Sequence, residues 1–317
     1  MKITSVKLNA LTALTLVFSL GYSSCAPQTQ RGFDTGTQAA SEDSSNIVGG
    51  QVMPASFQKQ NGIVALAITS SGLMGGNLSI CSGTLIDKRI VLTAAHCIQS
   101  ERGSRITNID VYFIPDIQQS LSSGSLKFSI PADKKVQNPA FLKGTNDQNV
   151  NSTAWNDVAL IRLKTDAPVG FNIAKIARLN SLRLTEKDSV ILAGFGIATP
   201  IVSRSQINPK TGLEEVVAVP EKSSSAGILR KIENIPVLAA MNDKELIFDQ
   251  SNSTGACHGD SGGPAFFKQA DGSLVQVGIT SRGTNRLGNC NEQAIYTSVA
   301  AQGNWIESTK AALLRAK

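Results

Sequence analysis

Gly259-Asp260-Ser261-Gly262-Gly263-Pro264 is the most informative stretch of the sequence, because it places a serine among glycines. Glycine lets the backbone approach a ligand closely and adopt conformations that are closed to other residues. A serine in such a turn can present its hydroxyl outward while backbone N–H groups converge on one point. This arrangement suits acyl transfer, which needs a nucleophile beside a site that stabilises an oxyanion. A glycine-rich turn is more often only a turn, so the rest of the chain must supply a base for Ser261.

The composition favours a strand-rich globular protein over a helical bundle. The chain has 317 residues, which is enough for one large domain or two smaller ones. Hydrophobic residues make up 41% and charged residues 17%, far from the composition of a disordered chain. The formal net charge is +6, but no Lys/Arg cluster with interleaved aromatic residues is present. Binding to nucleic acid is therefore not predicted.

The amino-terminal stretch is typical of an export signal. Lys2 and Lys7 precede an apolar run from Leu8 to Leu20, which small residues then follow. The run is too short to span a bilayer comfortably, so a signal is favoured over a membrane anchor. Residues 1–25 are therefore predicted to be a signal peptide, and the protein is predicted to be exported to the extracellular space or a periplasm.

Cys25 offers a second interpretation of the same stretch. It follows small residues, as in a lipoprotein signal whose cysteine is lipidated, although Tyr22 departs from that pattern. A single acyl chain binds a membrane only marginally, so lipidation and simple secretion both stay open at this point. Residues 26–46 are polar and poor in large apolar residues, and they are predicted to be a pro-segment. Lipidation would anchor the protein in a membrane before this segment is processed.

Four cysteines remain when the lipidation candidate is set aside, namely Cys81, Cys97, Cys257 and Cys290. Export favours disulfides, and four cysteines allow three pairings. The nearest-neighbour scheme, Cys81–Cys97 and Cys257–Cys290, closes two modest loops and would stabilise the fold by about 3 kcal/mol per bridge. Metal ligation is the alternative, but the sequence contains no Cys-x-x-Cys pair, which argues against zinc. Residues 112–130 also lack paired acidic groups that could bind calcium, and neither a metal nor a cofactor is predicted.

A base and an acid for the serine are found near strand-like segments. The chain has only two histidines, and one of them, His96, lies between the strand-like run Arg89–Thr93 and Cys97. A histidine near a strand end usually has no catalytic role, but a disulfide beside it would fix its backbone. Asp157 precedes Val158–Leu163, which has the pattern of a buried strand. An aspartate there can be a simple turn residue, or it can orient a histidine.

Strand-like segments recur along the chain. They are Gly62–Ser70, Ser79–Ile86, Arg89–Thr93, Val158–Leu163, Ser189–Gly196, Ile228–Leu238, Leu274–Thr280 and Ala294–Val299. The pattern loosens at about Ala174–Asn180, where we place a boundary between two halves, 47–180 and 181–299. Residues 199–226 have little periodicity and are predicted to be a long surface loop. Residues 302–317 carry apolar side chains at helical spacing and are predicted to be an amphipathic helix.

Four motifs together resemble the trypsin/chymotrypsin-like serine proteases over residues 47–317. They are Ile47-Val48-Gly49-Gly50, Leu92-Thr93-Ala94-Ala95-His96-Cys97, Asn156-Asp157-Val158-Ala159-Leu160 and Cys257-His258-Gly259-Asp260-Ser261-Gly262-Gly263-Pro264. Their order and approximate spacing are those of the family. The resemblance implies an all-β fold of two packed six-stranded antiparallel β-barrels with a C-terminal helix. It also implies a monomeric serine endopeptidase that acts on protein or peptide substrates in the cleft between the barrels.

The resemblance assigns a role to each residue of a catalytic triad. Ser261 would be the nucleophile, His96 the general base, and Asp157 the carboxylate that orients the histidine. The backbone N–H groups of Gly259 and Ser261 would form the oxyanion hole. The alternative is a non-catalytic relative that uses the fold for binding. Such relatives usually lack one of the three catalytic residues, whereas this chain has all of them.

The motif at Ile47 implies that the protein is made as a zymogen. Cleavage of the Asn46–Ile47 bond would free an α-amino group that inserts and pairs with Asp260. The buried ammonium needs that carboxylate, because an unpaired buried charge is very costly. Many relatives carry Lys or Arg before the cut. Asn46 therefore argues against activation by a trypsin-like enzyme, and the activating protease is unidentified.

The substrate pocket implied by the resemblance has no charged residue at its base. Its residues would be Gly255, Ala256, His258, Ser281, Arg282, Gly283 and Ala294. Gly255 stands where Lys/Arg-specific members carry an aspartate, so a small-to-medium apolar residue is expected before the scissile bond. Ala294, where many relatives have glycine, would shorten the pocket. Arg282 replaces the usual aromatic residue, and with His258 at the rim it would favour an acidic residue at a nearby subsite.

Overall fold

The computed structural model describes residues 47–72, 75–100, 103–141, 155–179, 181–198, 203–209, 211–218, 225–241, 244–285 and 289–316. All of them belong to one unit of the chain, Asp43–Lys317. The predicted signal peptide at 1–25 and the predicted pro-segment at 26–46 lie outside the described residues.

The described part of the chain contains sixteen strands and three α-helices. The strands are β1 Gln51–Val52, β2 Ile63–Gly72, β3 Gly75–Asp87, β4 Ile90–Thr93, β5 Ser104–Tyr112, β6 Ser129–Gln137, β7 Ala159–Leu163, β8 Lys175–Ile176, β9 Ser189–Gly194, β10 Ser203–Ile207, β11 Glu214–Ala218, β12 Arg230–Met241, β13 Glu245–Asp249, β14 Pro264–Lys268, β15 Leu274–Gly283 and β16 Gln293–Ser298. The helices are α1 Ala55–Asn61, α2 Gln118–Ser123 and α3 Gly303–Arg315. A 3-10 turn spans His96–Ile98.

The first barrel is a closed antiparallel sheet with the strand order β2-β3-β4-β7-β6-β5. It closes because β2 pairs with both β3 and β5, so that Leu66 lies opposite Cys81 on one side and Val111 on the other. All five residues of β7 are buried, as its largely apolar sequence predicts. The one charged residue of the strand, Arg162, forms an ion pair with Asp133. Leu92 on β4 and Leu160 on β7 have no exposed surface and lie in the barrel core.

The second barrel closes through the order β9-β12-β13-β16-β15-β14, because β14 and β12 both pair with β9. The rings of Phe248 and Tyr296 pack at 4.8 Å between centroids, and both residues are fully buried. The terminal helix α3 buries Ile306 and Leu313 in the core cluster of the first barrel. The predicted fold, two six-stranded antiparallel β-barrels with a C-terminal helix, is confirmed.

The first half of the chain also contributes to the second sheet. β1 pairs with β12, and β8 pairs with β15, although both short strands lie in the predicted first-barrel range 47–180. The chain therefore runs along the second barrel before it enters the first. This path brings Val48 into a bridge with Gly255, and it places the start of the domain beside the segment that leads to the serine turn.

The predicted surface loop at 199–226 contains a hairpin, so that prediction was incomplete. β10 and β11 pair with each other across a turn in which Asn208 N–H donates to Leu213 C=O at 2.9 Å, and Gly212 has φ +68°. Among the described strands they have no other partner, so burial does not impose an alternating pattern on them. The Ser-rich segment Gln118–Ser123 forms the short helix α2.

Candidate active site

His96 lies in the 3-10 turn that follows β4, and Asp157 holds it at two points. The backbone N–H of His96 donates to Asp157 Oδ1 at 2.9 Å, and Nδ1 lies 2.7 Å from Asp157 Oδ2. This contact favours the tautomer with its proton on Nδ1, so Nε2 is the nitrogen that can accept a proton. The disulfide Cys81–Cys97 ties the same turn to β3.

Asp157 is fully buried and accepts three hydrogen bonds, two from His96 and one from Ser281 Oγ at 2.7 Å. Burial alone would raise its pKa, but the charge on His96 and these hydrogen bonds outweigh that effect and lower the pKa below the ordinary value of 3.8. The carboxylate therefore stays ionised at neutral pH. Its contribution to stability is present above the ordinary pKa and is lost only as the pH falls through the lowered one. The sequence placed Ser281 in the pocket wall and did not predict this bond.

Ser261 lies on the turn before β14, where contacts from both barrels hold its backbone. Its C=O accepts a hydrogen bond from Ser82 N–H on β3 at 2.8 Å, and Gly262 N–H donates to Thr280 C=O on β15 at 2.9 Å. Ser261 and His96 both line two cavities, of about 580 and 350 Å³. The structure therefore brings the serine and the histidine into one cleft between the barrels.

Two backbone N–H groups beside the serine are available to a ligand. Within the described part of the chain, the N–H groups of Gly259 and Ser261 donate to no protein acceptor. Gly259 has φ +97°, and a Cβ there would lie 2.9 Å from Gly196 Cα, so only glycine fits this turn. Unsatisfied N–H groups in a cleft can stabilise a developing negative charge on oxygen.

Asp260 points away from this cleft into the protein and is 1% exposed. Its Oδ1 accepts Gly196 N–H at 2.8 Å, and its Oδ2 accepts Cys257 N–H at 2.9 Å. Burial raises its pKa to about 6, against the opposing effects of these bonds and of the charges on Arg230 and His258. Among the described residues, no side-chain cation makes an ion-pair contact with Asp260.

The predicted pocket residues mostly share the cavity of about 350 Å³ beside Ser261. They are Ala256, His258, Ser281, Arg282, Gly283 and Ala294. Gly255 is not in this lining, and Gln250 occupies the space that a side chain at Gly255 would need. The second predicted disulfide, Cys257–Cys290, is also present and joins two residues at the edge of the same cavity. A larger cavity of about 910 Å³, near α1 and β14, contains none of the residues from the four motifs.

A family model described as trypsin matches residues 47–306. The chain belongs to the trypsin family. It is therefore a serine endopeptidase, which hydrolyses peptide bonds in proteins. Kallikrein-8 of Rattus norvegicus is 28% identical over 240 residues, which cover 75% of this chain and 80% of that protein. Phenoloxidase-activating factor 3 of Holotrichia diomphalia is 28% identical and covers 72% of this chain, but the match spans only 63% of that protein.

Similarity in structure agrees with the family assignment. A solved structure of HL collagenase superposes with a TM-score of 0.58 and covers 84% of this chain and 99% of the collagenase. The sequences are 17% identical, so this match shows the shared fold alone.

Gln250 also lines the cavity beside Ser261, and sequence reasoning missed it. It is 2% exposed, its Nε2 donates to Ala256 C=O at 2.9 Å, and its Oε1 accepts Ala256 N–H at 3.0 Å. A Cβ on Gly255, which has φ +139°, would lie 2.4 Å from Gln250 Cδ. The lining of this cavity therefore includes a neutral amide that is hydrogen-bonded to the backbone of Ala256.

Arg282 lines the protease cleft, but its charge is compensated inside the protein. The guanidinium makes a two-point ion pair with Glu245, at 2.8 and 3.0 Å, and it stacks 4.3 Å from the ring centroid of Trp155. The Arg282 and Glu245 side chains are 9% and 2% exposed. The structure therefore does not support the acidic subsite preference that Arg282 suggested. Trp155 lines the cavity and supplies the aromatic face, and its position just before Asn156-Asp157 is the signal that could have identified it.

Proposed function

We propose that this protease cleaves peptide bonds with Ser261 as nucleophile, His96 as general base and Asp157 as the orienting carboxylate. The observation that carries the proposal is the double contact of Asp157 with His96, in a cleft that Ser261 shares. Ser261 Oγ attacks the peptide carbonyl and its proton passes to His96 Nε2, which then gives it to the leaving amine. Water hydrolyses the resulting acyl-enzyme, and His96 assists in the same way.

The N–H groups of Gly259 and Ser261 would bind the oxyanion of the tetrahedral intermediate. They support this role because they donate to no protein acceptor in the described residues and because Gly259 has a backbone conformation suited to glycine. Each such donor contributes roughly 2.7–4 kcal/mol to transition-state stabilisation in enzymes of this mechanism. No metal or cofactor enters the proposed reaction.

Activation is proposed to follow cleavage of the Asn46–Ile47 bond by another, unidentified protease. The Ile47 side chain is 1% exposed, and Val48 beside it pairs with Gly255. Asp260 is buried without an ion-pair partner among the described residues, so it offers a place for a new ammonium group. The freed amino group of Ile47 would pair with this carboxylate, lower its pKa from about 6 and hold the serine turn in place.

A fluorophosphonate probe tests the catalytic proposal directly. After cleavage before Ile47, we expect one label per chain, attached to Ser261, as read by mass spectrometry of the labelled peptide. The Ser261→Ala variant, cleaved in the same way, is the matched control and should take up no label. If the folded, cleaved wild type is not labelled, the alternative of a non-catalytic binding protein is correct.

Export of the protease is also proposed, and it rests on the two disulfides at Cys81–Cys97 and Cys257–Cys290. Such bridges persist in the extracellular space or a periplasm rather than in a reducing cytosol. The described residues contain no helix that is long and apolar enough to cross a membrane. Anchorage through Cys25 concerns residues outside the described part, and mass spectrometry of the purified precursor would detect a lipid there.

The lining of the pocket predicts which side chains are preferred just before the scissile bond. With Gln250 and Ala294 in its lining and no carboxylate among the described lining residues, the pocket should favour small-to-medium apolar side chains. Profiling the cleaved enzyme on a peptide library is expected to show Lys and Arg at that position about tenfold or more below the best apolar residue. Gln250→Ala enlarges the pocket, and it should shift the preference toward larger apolar residues. Dominance of Lys or Arg in the wild-type profile would contradict this pocket assignment.

A further inference from the structure

Arg230, the first residue of β12, is the largest fully buried side chain among the described residues. It is 1% exposed. A guanidinium stays protonated under ordinary conditions, so its burial leaves a full positive charge inside the protein. Such a charge is costly unless the surrounding groups compensate it. The catalytic roles assigned above make no use of it.

Backbone carbonyls supply part of this compensation. Arg230 Nη1 donates to three of them, those of Ser225 at 2.7 Å, Gly196 at 3.2 Å and Ile228 at 3.2 Å. Its Nε is buried and has no acceptor in the described part of the chain. Burial lowers the pKa of Arg230, and the charges of Asp260 and Asp116 oppose that effect. Asp116 is exposed to solvent, whereas Asp260 is buried like Arg230 itself.

Gly196 connects the two buried charges. Its C=O accepts the hydrogen bond from Arg230, and its N–H donates to Asp260 Oδ1 at 2.8 Å. Gly259 packs directly on the same residue, because a Cβ on Gly259 would lie 2.9 Å from Gly196 Cα. Gly196 therefore supports the turn that carries the proposed oxyanion donors, and Arg230 in turn holds Gly196.

We propose that Arg230 is a positioning residue whose buried guanidinium, through its bond to Gly196, holds the Gly259–Ser261 turn while the Asn46–Ile47 bond is intact. The inference rests on the proposed function, because it takes Ser261 as the nucleophile and Ile47 as the activating amino group. The uncleaved chain consequently has a measurable activity. Cleavage then adds the Ile47 ammonium as a direct counter-charge, and the dependence on Arg230 falls.

The rate constant of fluorophosphonate labelling tests this proposal in two forms of each protein. One form is the full chain, shown by mass to be uncleaved. The other is the same chain cut by a site-specific protease at a recognition sequence placed just before Ile47. The variants are Arg230→Met, which removes the charge at similar volume, and Arg230→Lys, which keeps it. In the uncleaved form of Arg230→Met the labelling rate constant should fall about tenfold or more, which is the size of a typical coupling between two sites.

In the cleaved form of Arg230→Met the labelling rate constant should fall much less than in the uncleaved form. Uncleaved Arg230→Lys should be labelled at nearly the rate of the uncleaved wild type. An equal loss in both forms would show that Arg230 is only structural. An uncleaved wild type that is labelled no faster than Ser261→Ala would also overturn the proposal. Failure of the proposed function itself gives a different result, since the cleaved wild type would then not be labelled. If circular dichroism shows that Arg230→Met is unfolded, Arg230→Gln replaces it, with the same expectations.

Discussion

Replacing Ser261 with alanine is expected to lower kcat of the cleaved protease by about a millionfold, the loss typical of a Ser-His-Asp triad. The hydroxyl is the only group proposed to form the covalent intermediate, so no neighbouring side chain can replace it. KM should change little, because the cavities proposed to bind the substrate are lined mainly by other residues. Hydrolysis of a chromogenic peptide under single-turnover and steady-state conditions measures both parameters.

The corresponding change at His96 sharpens this prediction. His96→Ala alone should lower kcat nearly as much as Ser261→Ala does. The double variant should be no slower than either single variant, because the two residues act as a unit. The chain has one other histidine, His258, which is exposed at the edge of the same cleft. His258→Ala is therefore the matched control, and its loss should be far smaller. Losses at Ser261 and His96 that multiply in the double variant would contradict the proposed triad.

Gly262→Ala is expected to destabilise the protein by on the order of 4 kcal/mol or more, which is in the range of severe core mutations. Gly262 has φ +79°, and an added Cβ would lie 2.1 Å from Thr93 Oγ1, 2.5 Å from Ser82 O and 2.9 Å from Ala94 N. Two of these neighbours are backbone atoms of the first barrel, so they cannot move aside cheaply. The substitution would push the serine turn away from β3 and β4.

Gly272 provides a control with almost the same backbone φ angle. It has φ +80°, but nothing lies within 4 Å of the Cβ that an alanine would add. Gly272→Ala should therefore cost only about 1 kcal/mol, the strain of a left-handed alanine without a clash. Guanidinium denaturation without reductant, in the Ser261→Ala background to prevent self-digestion, gives both free energies of unfolding. Equal losses of unfolding free energy at the two positions would show that the neighbouring atoms leave room for a Cβ at Gly262.

The sequence predicted the barrels and the proposed catalytic residues because their signals are local. His96 is adjacent to Cys97, Asp157 opens a buried strand, and Ser261 lies within its own glycine turn. Both barrels were expected from family motifs, and the largely apolar sequence of β7 agreed with them. The hairpin β10–β11 was missed, because its strands pair with each other and have no other partner among the described strands.

Long-range electrostatics could not be predicted in the same way. Arg282 meets Glu245 across 37 residues, and Arg230 meets Gly196 across 34. Neither partner is signalled by its own neighbourhood, and a basic residue beside a cleft looks in sequence like a group that recognises acidic substrates. Gln250 is similar, since its role depends on the space left by Gly255. Only the closure of the second barrel brings these residues together.

The division of the proposed active site between two barrels also means that its parts are synthesised at different times. Ribosomes synthesise a chain from its amino terminus, so His96 and Asp157 are made before Ser261. Ser261 and its turn come near the carboxyl end, and Ser281, which completes the hydrogen bonds to Asp157, comes later still. A chain that stops early has a base without a nucleophile. We therefore expect translation products that end before Ser261 to have no proteolytic activity, even after cleavage before Ile47.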